Sequence, residues 1–417
     1  MPQLAVIDLC YLPAANAGAS GYAASPCRAA EPEAAGRHSG FFVMSGDSAQ
    51  TISDAPFLVY GTTASYYTGK LEAYLRAKGI PYLLEPFSEA NMRRCVAHTG
   101  VIQIPQVECP DGSWLIDTTL IIEYLERVRP EPMVSPREPA VAFVSRLIED
   151  YADEWLWRPA MHYRWSFPET ARLMSAWLAE HLAERRVPQW MKRRWWRRRQ
   201  YRTFVAGDGV TAETRAAVEA TYLETLAALE SIFASRPFVL GLRPTEADFG
   251  FFGPLFRHFS CDPAPARIMR ERAPGVFEWA ARMWNLRPGC FAPHLLPDRL
   301  PEDLGEIFDA ITRVYLPYLD ANATAYANDD KHVRYQVRDV SFVEPVKPYR
   351  VWCRDRLQHG LCELDAPARA AVERALGSRE PVERLATPSP RPARNPFGAL
   401  PVIAAPRSRG IDSWWRE

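Results

Sequence analysis

Between Phe57 and Lys70 the chain reads FLVYGTTASYYTGK, a stretch that gathers hydroxyl groups at Thr62, Thr63, Ser65, Tyr66, Tyr67 and Thr68. A hydroxyl can hold an anion by donating its proton while carrying no charge itself. The stretch reads as a short apolar strand, a tight turn and the opening of a helix, which sets Ser65 and Tyr66 where a helix N-terminus meets solvent. Such a terminus has unpaired backbone N–H groups and a partial positive charge, so it suits a thiolate or a carboxylate. Capping the helix is the competing role for Ser65, and Tyr67, in helical step with Leu71, reads as core. A second polar pair, Asp117 and Thr118, stands at the head of a later helix and can cap it in the same way.

The elements that must position these groups follow from hydrophobic period and turn residues. Tyr67, Leu71, Tyr74 and Leu75 keep helical steps, and Lys78-Gly79 followed by Pro81 ends that helix. Residues 80–85, IPYLLE, read as a second strand reached by a helical crossover and hence parallel to the first. Ile104–Cys109, the turn at Pro110-Asp111-Gly112 and Ser113–Ile116 form an antiparallel hairpin, and Pro105 at its entrance points to a cis bond. Leu120, Tyr124, Leu125 and Val128 then stripe a helix that stops before Pro130. With a polar stretch at 88–98 between them, these segments give the order β-α-β-α-β-β-α.

Prolines punctuate a linker from Glu131 to Pro139, and beyond it the period is helical, through Val141, Val144, Ile148, Tyr151 and Trp155 and strongly over 213–235. Thr245 and Asp248 have the spacing of a capping box before the apolar run FGFFGPLF, and 276–286 gives one more helix. Past Pro293 the character changes. Residues 301–328 read as one helix, 332–346 as a β-hairpin and 349–376 as a helix pair, while the Pro- and Arg-rich tail from Glu380 reads as disordered.

Lys plus Arg equals Asp plus Glu at 50 each, so no global charge argues for nucleic acid or an acidic partner. The eight cysteines are scattered without a C-x-x-C pair, as expected of reduced, inert thiols in a cytosol. The start of the sequence lacks the charged opening and clean apolar core of a secretory signal, and no apolar run approaches the roughly 20 residues of a membrane span. A soluble protein is the expectation. Met44, ahead of the polar leader SGDSAQTISDAP, reads as the true start of the folded protein's message, with residues 1–43 an Ala-, Gly-, Ser- and Pro-rich extension.

Four segments fall in a telling order: SYYTGK at Ser65–Lys70, Ile104-Pro105, Asp117-Thr118 and RPFVLGLRPTEADF at Arg236–Phe249. They resemble, in turn, the C/S-P-Y-S-x-K segment, the V-P, the E-S or D-S pair and the F-x-x-G-x-x-P-S/T-x-A-D-F signature of the cytosolic glutathione transferase family. The resemblance covers residues 57–292. It implies a thioredoxin-like α/β domain at 57–130 and an all-helical domain at 131–292, behind a disordered leader at 1–56. A small α+β extension at 293–376 and a disordered tail at 377–417 lie outside the family's pattern.

The resemblance further implies a transferase that activates the thiol of glutathione, its co-substrate, for conjugation to an electrophilic small molecule. Ile104, turned outward by a cis Pro105, would pair with the cysteinyl part of glutathione. Thr118 would take the γ-glutamyl carboxylate, and Asp117 would lie near its ammonium. The thiolate would lie over the helix opening at Ser65 and Tyr66. Ser65 and Thr68 occupy the positions where redox-active members carry cysteine, so a disulfide mechanism on the protein's own thiol is disfavoured. Ser65 is the catalytic candidate, with Thr62, Thr63, Tyr66 and Tyr67 as competitors. Trp155, Arg158 and His162 are candidates for the pocket of the second, apolar substrate, against a packed core with Arg stacking on Trp. His162 has no metal-ligating partner one turn on, and no metal is expected. A cytoplasmic homodimer is implied by family custom. The rival reading keeps the fold without catalysis, as an interaction protein. The basic run KRRWWRRR at Lys192–Arg199 reads as a solvated segment between helices with its tryptophans packed inward, against a second rival that binds nucleic acid or anionic lipid through it; nucleic acid is not an expected partner.

Overall fold

The strand Phe57–Gly61 (β1) lies inside a four-stranded sheet of order β2-β1-β3-β4, with Tyr82–Pro86 as β2, Gln106–Glu108 as β3 and Trp114–Ile116 as β4. These features come from a computed structural model, which describes residues 55–182 and 187–402. The expectations for the leader at 1–54, including Met44, lie outside the described residues. β1 pairs parallel with β2, Leu58 opposite Leu83, and antiparallel with β3, Leu58 opposite Glu108; β3 in turn pairs antiparallel with β4. A strand with neighbours on both sides and helices on its faces must be apolar throughout, which is why FLVY carries no charge.

Helices Tyr66–Lys78 (α1), Glu89–Thr99 (α2) and Thr118–Val128 (α3) complete the thioredoxin-like domain. α1 ends at Gly79, whose φ of 67° makes its N–H available to the carbonyls of Arg76 and Leu75. The Ile104–Pro105 bond is cis, as expected.

The helical domain runs through Pro139–Glu154 (α4), Trp157–Ser166 (α5), Pro168–His181 (α6), Gln189–Phe204 (α7), Arg215–Phe233 (α8) and Glu246–Pro254 (α9). Pro263–Arg272 (α10), Pro274–Trp284 (α11) and the short Pro288–Phe291 (α12) follow. The expected capping box is present at the head of α9: Asp248 accepts from the Thr245 N–H at 3.0 Å while Thr245 caps the Asp248 N–H. α9 runs against both α4 and α1. A Cβ at Gly250 would come 2.7 Å from the Glu149 Cα and one at Gly253 2.5 Å from the Tyr66 ring, so glycine at both positions lets the three helices touch. The basic run belongs to α7 itself. Of its two tryptophans only Trp196 packs inward, Trp195 being exposed like most of the arginines, so the solvated segment is a helix face and not a connection between helices.

The extension holds Gly305–Ala310 (α13), Leu316–Ala327 (α14), strands His332–Val337 (β5) and Val340–Pro345 (β6), and helices Pro348–Cys362 (α15) and Ala366–Ala375 (α16). The single helix expected at 301–328 is broken by a wide π-type turn at Ile311–Tyr315, just ahead of Pro317, whose ring cannot sit in an unbroken helix. α15 and α16 pack on α4, and the described residues from 55 to 402 belong to one unit. The tail expected to be disordered from 377 contains a helix, Glu380–Ala386 (α17), with Val382 and Leu385 buried. Its Pro- and Arg-rich composition hides the anchors: Arg354 bonds Ser389 Oγ at 3.0 Å and the Thr387 carbonyl at 3.1 Å, and Phe397 packs against Trp352 and Ile116. The Val402 N–H donates to the Trp114 carbonyl at 2.8 Å, a single bridge on the outer edge of β4. Among the described residues no helix is long and apolar enough to cross a membrane.

Arg164 of α5 ties the two domains together. It donates to both oxygens of Asp262, at 2.7 and 3.1 Å, to the Arg257 carbonyl at 2.7 Å and, across the domain boundary, to the Ala64 carbonyl at 2.6 Å. Arg164→Met should cost about 3–5 kcal/mol in urea unfolding because it strands the buried Asp262, and adding Asp262→Leu should recover part of that loss.

Burial also pushes up several carboxyls: Asp150 and Glu246 to about 7 and Asp248 to about 6. A carboxyl raised on folding binds protons more tightly in the folded state, so its contribution grows as pH falls through the folded value toward the unfolded one. His258 and His162, lowered chiefly by burial, act in the opposite sense below the ordinary imidazole range. The carboxyls outnumber them, so the melting temperature should be higher at about pH 6 than at about pH 8, and Glu246→Gln should flatten that rise.

Candidate functional site

Ser65 caps α1 from the turn that follows β1. Its Oγ accepts from the Thr68 N–H at 3.2 Å, and its own N–H donates to the Thr62 carbonyl at 2.9 Å. Accepting a cap bond leaves the hydroxyl proton available, and among the described residues it donates to no neighbour. Tyr66 and Tyr67 are differently placed. The Tyr66 hydroxyl has one proton to share between the carbonyls of Ala152, at 2.6 Å, and Asp153, at 2.9 Å, and Tyr67 donates to Asp153 at 3.2 Å. Burial, with the nearby carboxylates of Asp153 and Glu154, holds both phenols well above their ordinary range, so they stay protonated. Thr63 is exposed and off the cavity, and the Thr62 hydroxyl accepts from the Ala64 N–H at 3.3 Å.

This turn opens into a cavity of about 490 Å³. The thioredoxin-like domain contributes Ser65, Tyr66, Ile104, Pro105, Asp117 and Thr118, so every residue expected at the glutathione site lines one cavity. The loop carrying Ile104 is held from beneath by Gln106, whose amide donates to the carbonyls of Val101 at 3.0 Å and Gln103 at 2.9 Å. Asp117 has a φ of 69°; one carboxylate oxygen caps the Leu120 N–H at 3.2 Å and the other accepts from the Tyr349 hydroxyl at 2.8 Å. Burial raises the Asp117 carboxyl against the pull of those two bonds.

The helical domain supplies an apolar wall: Trp157, Met161 and Trp165 from α5, Met174 and Leu178 from α6, and Trp196 and Phe204 from α7. Trp157 stacks on Tyr66 and Tyr67, with ring centres 5.8 and 6.0 Å apart. Among the described residues no cysteine lines the cavity.

The expected pocket residues Trp155, Arg158 and His162 are absent from that wall, which is a correction. Trp155 and Leu156 interrupt the helix between α4 and α5 without changing its phase: the cavity face runs on from Asp153 and Glu154 through Trp157, Met161, Arg164 and Trp165, beside the buried stripe that carries Trp155, Arg158 and His162. Arg158 points away, sandwiched 4.3 Å over Trp155 and 4.6 Å over Tyr318 while pairing with Glu344 at 2.5 Å, and His162 bonds Glu219 at 2.9 Å. They are core, with Arg stacked on Trp.

Residues beyond the sequence reading complete the site. Arg164 fixes the turn carrying Ser65 through the Ala64 carbonyl. From the extension come Lys347, which pairs with Asp208 at 2.6 Å, Tyr349, and Arg350, which bonds the Glu154 carboxylate at 3.0 Å. Trp157 and Arg164 carry the signal of one helix face once the phase is known. The extension residues carry no local signal at all.

Comparison with known proteins adds an independent line. The glutathione S-transferase N-terminal domain matches residues 64–128 and the glutathione S-transferase C-terminal domain matches 174–282. A comparison with curated proteins found no match. Among solved structures, a glutathione S-transferase from Rhodospirillum rubrum F11 is 20% identical, with 59% of this chain and 96% of that one covered and a TM-score of 0.38. One from Methylobacterium radiotolerans, in complex with glutathione sulfonate, is 18% identical over 59% and 100% of the two chains, TM-score 0.35. The beta-etherase LigF from Sphingobium sp. strain SYK-6 is 19% identical over 57% and 97%, TM-score 0.41. In the family's order, on a thioredoxin-like sheet followed by a helical domain, residues 64–128 and 174–282 are the N- and C-terminal domains of the glutathione S-transferase family.

Proposed function

We propose that this protein activates the thiol of glutathione, its co-substrate, for attack on an electrophilic small molecule. The observation that carries the reading is Ser65, a helix-capping hydroxyl with an uncommitted proton at the mouth of α1, while both neighbouring phenols are spent on backbone carbonyls. Ser65 donates to the sulfur and the α1 N-terminus adds its partial charge. Together they lower the thiol pKa, each unit being worth about 1.4 kcal/mol. The Ile104 backbone takes the cysteinyl part, Thr118 the γ-glutamyl carboxylate and Asp117 the ammonium. The electrophile then lies against Trp157, Met161 and Trp165, where apolar walls exclude water. The sulfur forms its bond to the electrophilic carbon as the leaving group departs with its electron pair. A cytoplasmic homodimer is the setting this reading carries with it.

Titration calorimetry with reduced glutathione is the first test, and absence of binding at about millimolar ligand leaves a non-catalytic interaction protein in its place. With an activated aryl halide as electrophile, Ser65→Ala should lower kcat/KM about a hundredfold and move the rate's rise to higher pH. Ser65→Thr should keep both. Tyr66→Phe should leave that pH profile where it was.

A further inference from the structure

Residues 347–350 lie outside both matched domains, yet Lys347, Tyr349 and Arg350 line the cavity. Tyr349 is held in place from several sides. Its ring packs 5.4 Å from Trp352 and 5.9 Å from Phe397, while the adjacent Arg350 bonds the Glu154 carboxylate and carbonyl, both at 3.0 Å, and the Tyr318 hydroxyl at 2.7 Å. The first turn of α15 is thereby fixed to the end of α4, and from there the Tyr349 hydroxyl donates to Asp117 at 2.8 Å.

The charges at this corner are unevenly matched. Glu154 has Arg350, and Glu149 and Asp153 share Lys70. Among the described residues no lysine, arginine or histidine pairs with Asp117, which is held only by a hydroxyl and a backbone N–H, and the Oδ1 of the cavity-lining Asp153 has no hydrogen-bond partner. A half-buried carboxylate at a cavity wall, oriented by neutral donors and left without a cation, is completed by a ligand that brings one.

We infer that Tyr349 is a positioning residue that makes Asp117 into a selector for the primary ammonium of the ligand, so that the C-terminal extension sets which thiol peptides the site accepts. This deepens the glutathione reading and rests on it. Without the phenol hydroxyl Asp117 is free to turn or to take a proton, and the ammonium loses its fixed partner, whereas the sulfur end of the ligand is untouched.

The experiment compares reduced glutathione with its analogue lacking the γ-glutamyl amino group, glutaryl-cysteinylglycine, by titration calorimetry on the full chain. The wild type should prefer glutathione. Tyr349→Phe should bind glutathione about tenfold more weakly while holding the analogue as before, so the preference collapses, and the kinetic loss should fall on the KM for glutathione. Asp117→Asn should abolish the same preference, with no further loss in the double variant. Equal weakening of both ligands would reduce Tyr349 to a structural residue and overturn the inference, as would an unchanged preference. Failure of the wild type to bind either ligand overturns the glutathione reading itself, and this inference with it.

Discussion

One ammonium group holds the two domains in register. Lys70 of α1 is fully buried, and its Nζ is shared by Glu149 and Asp153 of α4, with the Thr119 hydroxyl at 3.3 Å as a third partner. A charge removed from water persists only where partners surround it, so α1 cannot shift along α4 without stranding a cation and two carboxylates. Apolar packing alone would tolerate some sliding. The ion cluster does not, and the close contacts at Gly250 and Gly253 add a steric stop on the other side. The orientation of the α1 N-terminus, and with it Ser65, is inherited from α4.

α4 is thus the member on which three layers converge: α1 of the thioredoxin-like domain, α9 of the helical domain, and α15 and α16 of the extension. Its last turn faces the cavity, and Asp153 and Glu154 are held there by cations from opposite ends of the sequence, Lys70 and Arg350. A site floor of this kind is electrostatically stiff, since each charge is fixed by another that is itself buried.

What the sequence shows of this arrangement is what local chemistry dictates. The strand at Phe57, the cap at Ser65, the cis proline, the Asp117-Thr118 pair and the capping box at Thr245 each depend on a few consecutive residues, and all stand where their spacing puts them. The α5 face was misread because Trp155, Arg158 and His162 continue the core stripe of α4, while the cavity lies along the neighbouring face through Trp157, Met161 and Arg164, and polar or aromatic residue type alone does not tell the two faces apart. Tyr349 reaches Asp117 across 232 positions, and the tail from 377 is ordered by distant arginines and aspartates. Long-range pairing of this sort has no signature in composition, so a Pro-rich ordered strap and a disordered one look alike on paper.

The bridge between Val402 and Trp114 concerns the sheet's outermost strand. A β-strand at the rim of a sheet displays unpaired amides and carbonyls, which any extended peptide can extend into a further strand. Here one amide of the chain's own tail occupies a carbonyl of β4, with Phe397 in the apolar cluster that also holds Ile116. At that one carbonyl the protein occupies its own template, and a peptide pairing along β4 would first have to displace the tail.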